Sequence, residues 1–184
     1  MAVELALNAR PTGTAMKLLN RLLRPAPATP PRLALWHAIV GEARDKRWYR
    51  DFGVADTVEG RFDMVTLVLA VVLLRIEREG DGASSVALTE LFIEDMDSQL
   101  RQSGVGDLMV GKRVGQLMAT LGGRIGALRD NLPVGGAALA EAVERNVTLV
   151  EGATPAPLAQ ELLRFHAAIA CLPFARLLDG SLAP

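Results

Sequence analysis

Met64-Val65-Thr66-Leu67-Val68-Leu69-Ala70-Val71-Val72-Leu73-Leu74 decides the fold, because it is apolar on every side. Asp63 and Arg75 close its ends, and it falls well short of the roughly 20 residues needed to cross a bilayer. A β-strand is the rival for Val68 to Leu74. The long span without breakers, from Val58 to about Glu79, favours a helix instead. Apolar side chains all round a helix mean burial, so this one is expected at the centre of an α-helical bundle.

Composition supports that reading. The chain has 184 residues, half of them apolar, which is one ordinary domain or one domain plus an arm. Aromatics make up only 4%, so leucine, valine and alanine must fill the core. A lone cysteine, Cys171, excludes a disulfide framework and a thiolate zinc site. A net charge of −1 excludes a domain-wide pull on DNA. The charge is nonetheless uneven: residues 1–50 hold nine basic and three acidic side chains, and residues 51–110 hold four and twelve.

Upstream of the central helix, no acid lies between Glu4 and Glu42. Residues 1–9 lack the cationic start and long apolar run of a secretory signal. Thr14 to Arg24 reads as a short amphipathic helix, with Met16, Leu18, Leu19, Leu22 and Leu23 opposite Lys17, Arg21 and Arg24. So short a helix needs something to dock on, whether its own core, a partner or an anionic membrane. Pro25, Pro27, Pro30 and Pro31 then make a stiff linker. Residues 1–32 are therefore expected to be a cationic arm and linker, and residues 33–184 a helical domain. Leu33 to about Arg50 reads as one helix ending in a basic run, Arg44, Lys46, Arg47 and Arg50, which suits the carbonyl end of a helix. Asp56 and Thr57 are the expected caps of the central helix.

Downstream, Ser84 or Ser85 is expected to cap a helix reaching Ser103, with Asp95 and Gln99 falling inside its apolar arc. A carboxylate there needs an arginine partner or a wet pocket. We expect Arg61 to meet Asp95 or Asp107. Asp107 is the expected cap of the next helix, Leu108 to Asn131, in which Gly111, Gly115, Gly122 and Gly126 fall within an arc of about 60°. Each interior glycine costs about 1 kcal/mol against alanine, so the stripe calls for a reason. The first is packing against the chain's own Met64–Leu74 helix, expected at Gly111 and Gly115. The other is an open groove for a partner's apolar helix. A helix from Gly136 to about Val150 and a last one after Thr154-Pro155, bending at Pro173, complete an all-α, single-domain bundle of about six or seven helices.

Catalytic constellations are thin. Gly104-Val105-Gly106 lacks the lysine and later glycine of a phosphate loop. Cys171 and His166 have no third orienting group. Glu94-Asp95-Met96-Asp97 could serve a magnesium–diphosphate enzyme only with a second acidic cluster, which is missing. No catalytic, cofactor or metal residue is expected, and no small-molecule substrate.

Two stretches carry a resemblance. Gly53-Val54-Ala55-Asp56-Thr57-Val58-Glu59-Gly60-Arg61-Phe62-Asp63-Met64 is similar to a signature of the ubiquinol–cytochrome c chaperone family. So is the stretch containing Asp95, Met96, Asp97, Leu100, Arg101, Gly104, Val105, Gly106, Asp107, Val110, Gly111 and Lys112. The resemblance covers roughly Leu33 to Val150. Val68, Gln102-Ser103 and Leu121-Gly122 depart from the pattern. It implies a non-enzymatic assembly factor of respiratory complex III that binds newly made cytochrome b or other assembly components. Such a protein works in the cytoplasm at the inner membrane, or on the matrix side in a mitochondrion. Lys17, Arg21 and Arg24 suit a membrane or ribosome contact. A generic membrane-surface adaptor is the alternative. Arg61, Asp63, Asp95, Asp97, Arg101 and Asp107 are where polar specificity concentrates, as client contacts or as an internal salt-bridge network.

Overall fold

The computed structural model describes residues 32–102 and 110–182. Six helices of eleven residues or more form one all-α bundle: α1 (Leu33–Ala43), α3 (Val58–Arg78), α4 (Gly82–Gln102), α5 (Val110–Asn131), α6 (Gly136–Asn146) and α7 (Ala156–Cys171). Two five-residue helices, α2 (Lys46–Arg50) and α8 (Phe174–Leu178), fill corners.

The apolar run does what its composition requires. Every residue from Met64 to Leu73 is buried, and α3 packs against α1, α4, α5 and α7. Thr66, the one hydroxyl in the run, returns it to the carbonyls of Phe62 and Asp63, each at 3.0 Å, so no polar group is stranded. The Thr57 hydroxyl caps the helix by accepting from the Gly60 N–H at 3.2 Å.

Four sequence expectations are corrected. The helix from Leu33 does not run to Arg50 but breaks after Ala43, and Asp45 caps α2 by accepting from the Arg47 N–H at 2.9 Å. The break releases two carbonyls, which α2's aromatics take up. Trp48 Nε1 donates to the Glu42 carbonyl at 2.9 Å and the Tyr49 hydroxyl to that of Ala43 at 2.7 Å. Trp48 is itself fully buried, edge-on to Phe165 of α7. Asp81, rather than Ser84 or Ser85, caps α4, accepting from the Ser84 N–H at 3.0 Å. The helix after Gly135 stops at Asn146 rather than Val150. Val147, Thr148 and Val150 are β-branched and favour the extended backbone, in which Leu149 forms an antiparallel bridge with Val54. Finally, the last helix does not bend at Pro173: α7 ends before it at Cys171, and Pro173 leads into α8.

Candidate functional site

The loop before α3 is held by this bridge. The Ala55 N–H donates to the Thr148 carbonyl and the Val150 N–H to that of Gly53, both at 2.9 Å. Gly60 lies directly under the loop: a Cβ there would sit 2.0 Å from the Ala55 oxygen, so only glycine fits. The signature residues thus wrap the start of α3 tightly against the 147–150 segment.

Asp63 knots that corner. One carboxylate oxygen pairs with Arg124 of α5. The other accepts from the Thr148 N–H at 2.8 Å and its hydroxyl at 2.7 Å. Asp63 and Arg124 are both buried, and the Arg124 guanidinium lies over the Phe62 ring, 5.5 Å from its centroid. Phe62 also meets Phe92 of α4 at 6.4 Å. The Asp63 carboxylate is fully bonded, while Arg124 spends one nitrogen on it and leaves Nε and Nη1 buried without a hydrogen-bond partner. The pair therefore specifies how α3, α5 and the extended segment fit together more than it stabilises them.

Above this knot is a groove of about 880 Å³. Val40 of α1 and Arg44 just past its end form one wall, and Asp95, Met96 and Gln99 of α4 another. Val58, Glu59, Arg61, Phe62, Asp63 and Val65 of α3 form the floor, with Leu117 of α5 and Thr148 at its side. Val58 stands 80% exposed at the start of α3. The groove's surface is mainly apolar, and Arg44, Glu59, Arg61, Asp63 and Asp95 are its charged lining residues. Among the described residues, no group of three His, Cys, Asp or Glu side chains could hold a metal ion. No helix among them is long and apolar enough to cross a membrane.

The groove gathers Arg61, Phe62, Asp63 and Asp95 from the two signature stretches, but not in the pairing expected. Arg61 reaches Asp56 at 2.7 Å, and this bond holds the Asp56 carboxyl below its ordinary range. Asp95 instead lines the groove half-buried and accepts from Gln99 Nε2 at 3.2 Å, so the pocket meets its need rather than an arginine. Asp97 is half-buried on α4. Gly104, Gly106 and Asp107 lie outside the described residues, as do Lys17, Arg21 and Arg24 and the surroundings of Arg101 and Gly111.

The glycine stripe also differs from expectation at Gly115. Among the described residues, a Cβ at Gly115, Gly122 or Gly126 would meet nothing within 4 Å. The helix packs through Leu121, Arg124 and Leu128 instead, which lie roughly 145° round from the glycines. Two residues of the knot escaped sequence reasoning. Arg124 had a signal, a lone cation in the arc of Leu117, Leu121 and Leu128. Thr148 had none.

A family model described as ubiquinol-cytochrome C chaperone matches residues 50–182, more than two thirds of the chain. The crystal structure of the Cbp3 homolog from Brucella abortus is similar at a TM-score of 0.71 and 29% identity, covering 92% of this chain and 95% of that one. No curated protein matches the sequence.

Proposed function

The chain belongs to the ubiquinol–cytochrome C chaperone family, and from that premise we propose that it holds newly made cytochrome b, or another apolar segment of the complex, during assembly of ubiquinol–cytochrome c reductase. The observation that carries this reading is the family match itself, which spans α3, α4 and α5, the helices supplying most of the groove. The protein binds and releases, and performs no catalytic step. It works in the cytoplasm beside the membrane into which its client inserts, or on the matrix side in a mitochondrial setting.

A client that emerges apolar needs a surface that shields it until it inserts. The groove offers Val40, Val58, Phe62, Met96 and Leu117 for that purpose, and methionine adapts to varied side chains. The open glycine face of α5, bordered by the exposed Met118, is a second surface on which a helix backbone can come close.

The test is co-purification from the source organism's membranes with Val58→Glu as the probe. Val58 is exposed at the first position of α3, where an acid suits the helix dipole, so folding should be unchanged. Cytochrome b or its early assembly partners should co-purify with the parent and be depleted with the variant. Equal recovery with both would dispose of the groove as the client site.

A further inference from the structure

We propose that a second, cationic pocket beside the groove binds the phosphate headgroup of an anionic phospholipid and so seats the protein on a membrane surface. This pocket, of about 500 Å³, is lined by Arg44, Lys46, Tyr49, Arg50, Asp56 and Arg61. It exists because of the break between α1 and α2, which splits the basic run into two groups. Arg47 turns inward, pairing with Glu42 and Asp45, approaching Glu161 of α7 and lying over the Trp48 ring. The other three cations of the run line the pocket, where Arg61 of α3 joins them.

The charge there is only half neutralised from within. Arg50 holds Asp51 and Arg61 holds Asp56, each at 2.7 Å, while Arg44 and Lys46 have no acidic partner among the described residues. Arg61 spends only its Nε on Asp56, which leaves its terminal nitrogens for a ligand. From residue 32 onward the sequence holds sixteen basic and twenty acidic residues, so the pocket is a positive island on an acidic domain. Such an island selects an anion.

The neighbouring groove identifies the kind of anion. Arg44 and Arg61 line both cavities, so a phosphate held by them lies at the edge of an apolar channel. Glu59 and Asp95, the acids of the groove lining other than the Arg124-paired Asp63, disfavour a second phosphate there and confine the anion to the basic pocket. An amphiphile with a phosphate at one end matches that arrangement. A nucleic acid would need a continuous basic track and free aromatic faces, whereas Tyr49 is half-buried with its hydroxyl tied to the Ala43 carbonyl. Cytoplasmic flanks of a membrane-protein client are rich in Lys and Arg, and the pocket would repel them. Lipid contact stands on the pocket alone. Its use, to hold the groove's mouth at the bilayer for an arriving client, rests on the chaperone reading.

The experiment is co-sedimentation of the full chain with vesicles of phosphatidylcholine alone or of equimolar phosphatidylcholine and phosphatidylglycerol. No client is present, so failure here and failure of the chaperone reading are distinguishable. The parent should bind the mixed vesicles and release them as salt rises. Arg44→Gln/Lys46→Gln should lose roughly twentyfold to thirtyfold, the effect of two cations at an anionic surface. Arg44→Lys/Lys46→Arg should keep the parent's affinity. If the neutral pair does not fold, Lys46→Gln alone, with a loss of about fivefold, decides the matter. Binding unchanged in the neutral variant, or lost only on Lys17→Gln/Arg21→Gln/Arg24→Gln, overturns the proposal. So does a neutral variant that loses a single-stranded RNA but keeps the vesicles.

Discussion

Helices α3 and α5 are almost the same length, pack against each other, and use glycine in opposite ways. In α3 one glycine, Gly60, sits under a carbonyl so closely that no side chain fits. In α5 Gly115, Gly122 and Gly126 line up on one face, yet among the described residues nothing lies within 4 Å of where their side chains would be. The difference teaches that spacing shows where glycines align and only the neighbouring backbone shows what they are for. On α3 glycine closes the structure; on α5 it leaves a face that no described residue covers.

The seam between the two helices should be the most sensitive place in the molecule. Arg124→Met leaves Asp63 buried without its counter-charge. Losing one partner of a buried pair costs about 3–5 kcal/mol, and the two Thr148 donors should hold the loss near the lower end. Chemical denaturation of the variant checks this. A loss below about 1 kcal/mol would mean that the knot does not join α3 to α5 as described.

Next in size is Gly60→Ala. Its Cβ would collide with the Ala55 carbonyl, and that backbone is tied to Thr148, so it has little room to yield. Overpacking of this kind costs about 1–3 kcal/mol, and a rigid neighbour puts the loss at the upper end. A thermal melt matching the parent would break the contrast from the α3 side.

Gly115→Leu attacks it from the α5 side with the opposite sign. Leucine is the better helix former by up to about 1 kcal/mol, and it enters open space, so the melting temperature should hold or rise. If the glycine face takes a client helix, capture of that client should fall in the same variant. A clear drop in melting temperature would show that the face is packed.

The same contrast explains what could be read from the sequence. The burial of α3 was legible because its apolar side chains run all the way round, a pattern with one solution in water. The breaks at Ala43 and Asn146 were not, because each depends on contacts made after folding. Trp48 and Tyr49 recover the carbonyls freed at the first, and Gly53 and Ala55 pair the strand-like segment at the second. At the candidate site, Asp63 stood out as a charge against the apolar run, yet its cation lies 61 residues away in a glycine-rich helix. Arg61 and Asp95 looked like partners because both are polar and near the signatures. In the fold Arg61 has the closer Asp56, only five residues away.

The smallest effect expected is a pH dependence confined to the closed side of the bundle. His166 of α7 is half-buried, and burial, with the nearby charge of Arg78 at the end of α3, holds its pKa below the ordinary 6.5. Above that value the imidazole is neutral in folded and unfolded chains alike, and it contributes no pH dependence. As pH falls through 6.5 the unfolded chain takes up the proton first, so stability declines until the folded pKa is passed. Glu42 works in the opposite sense. Burial raises its pKa above 4.5, against the pull of Arg47, so on acidification the folded state takes up that proton first and gains stability. The two must be separated by comparison rather than by a single curve. Melting temperatures of the parent and His166→Gln, followed from neutral pH to about one unit below 6.5, should diverge as the parent alone declines. The Glu42 contribution is common to both and cancels. Gly115→Leu, on the open face of α5, should keep the parent's slope; parallel curves for parent and His166→Gln would mean that the α3–α7 side is as open to water as the glycine face.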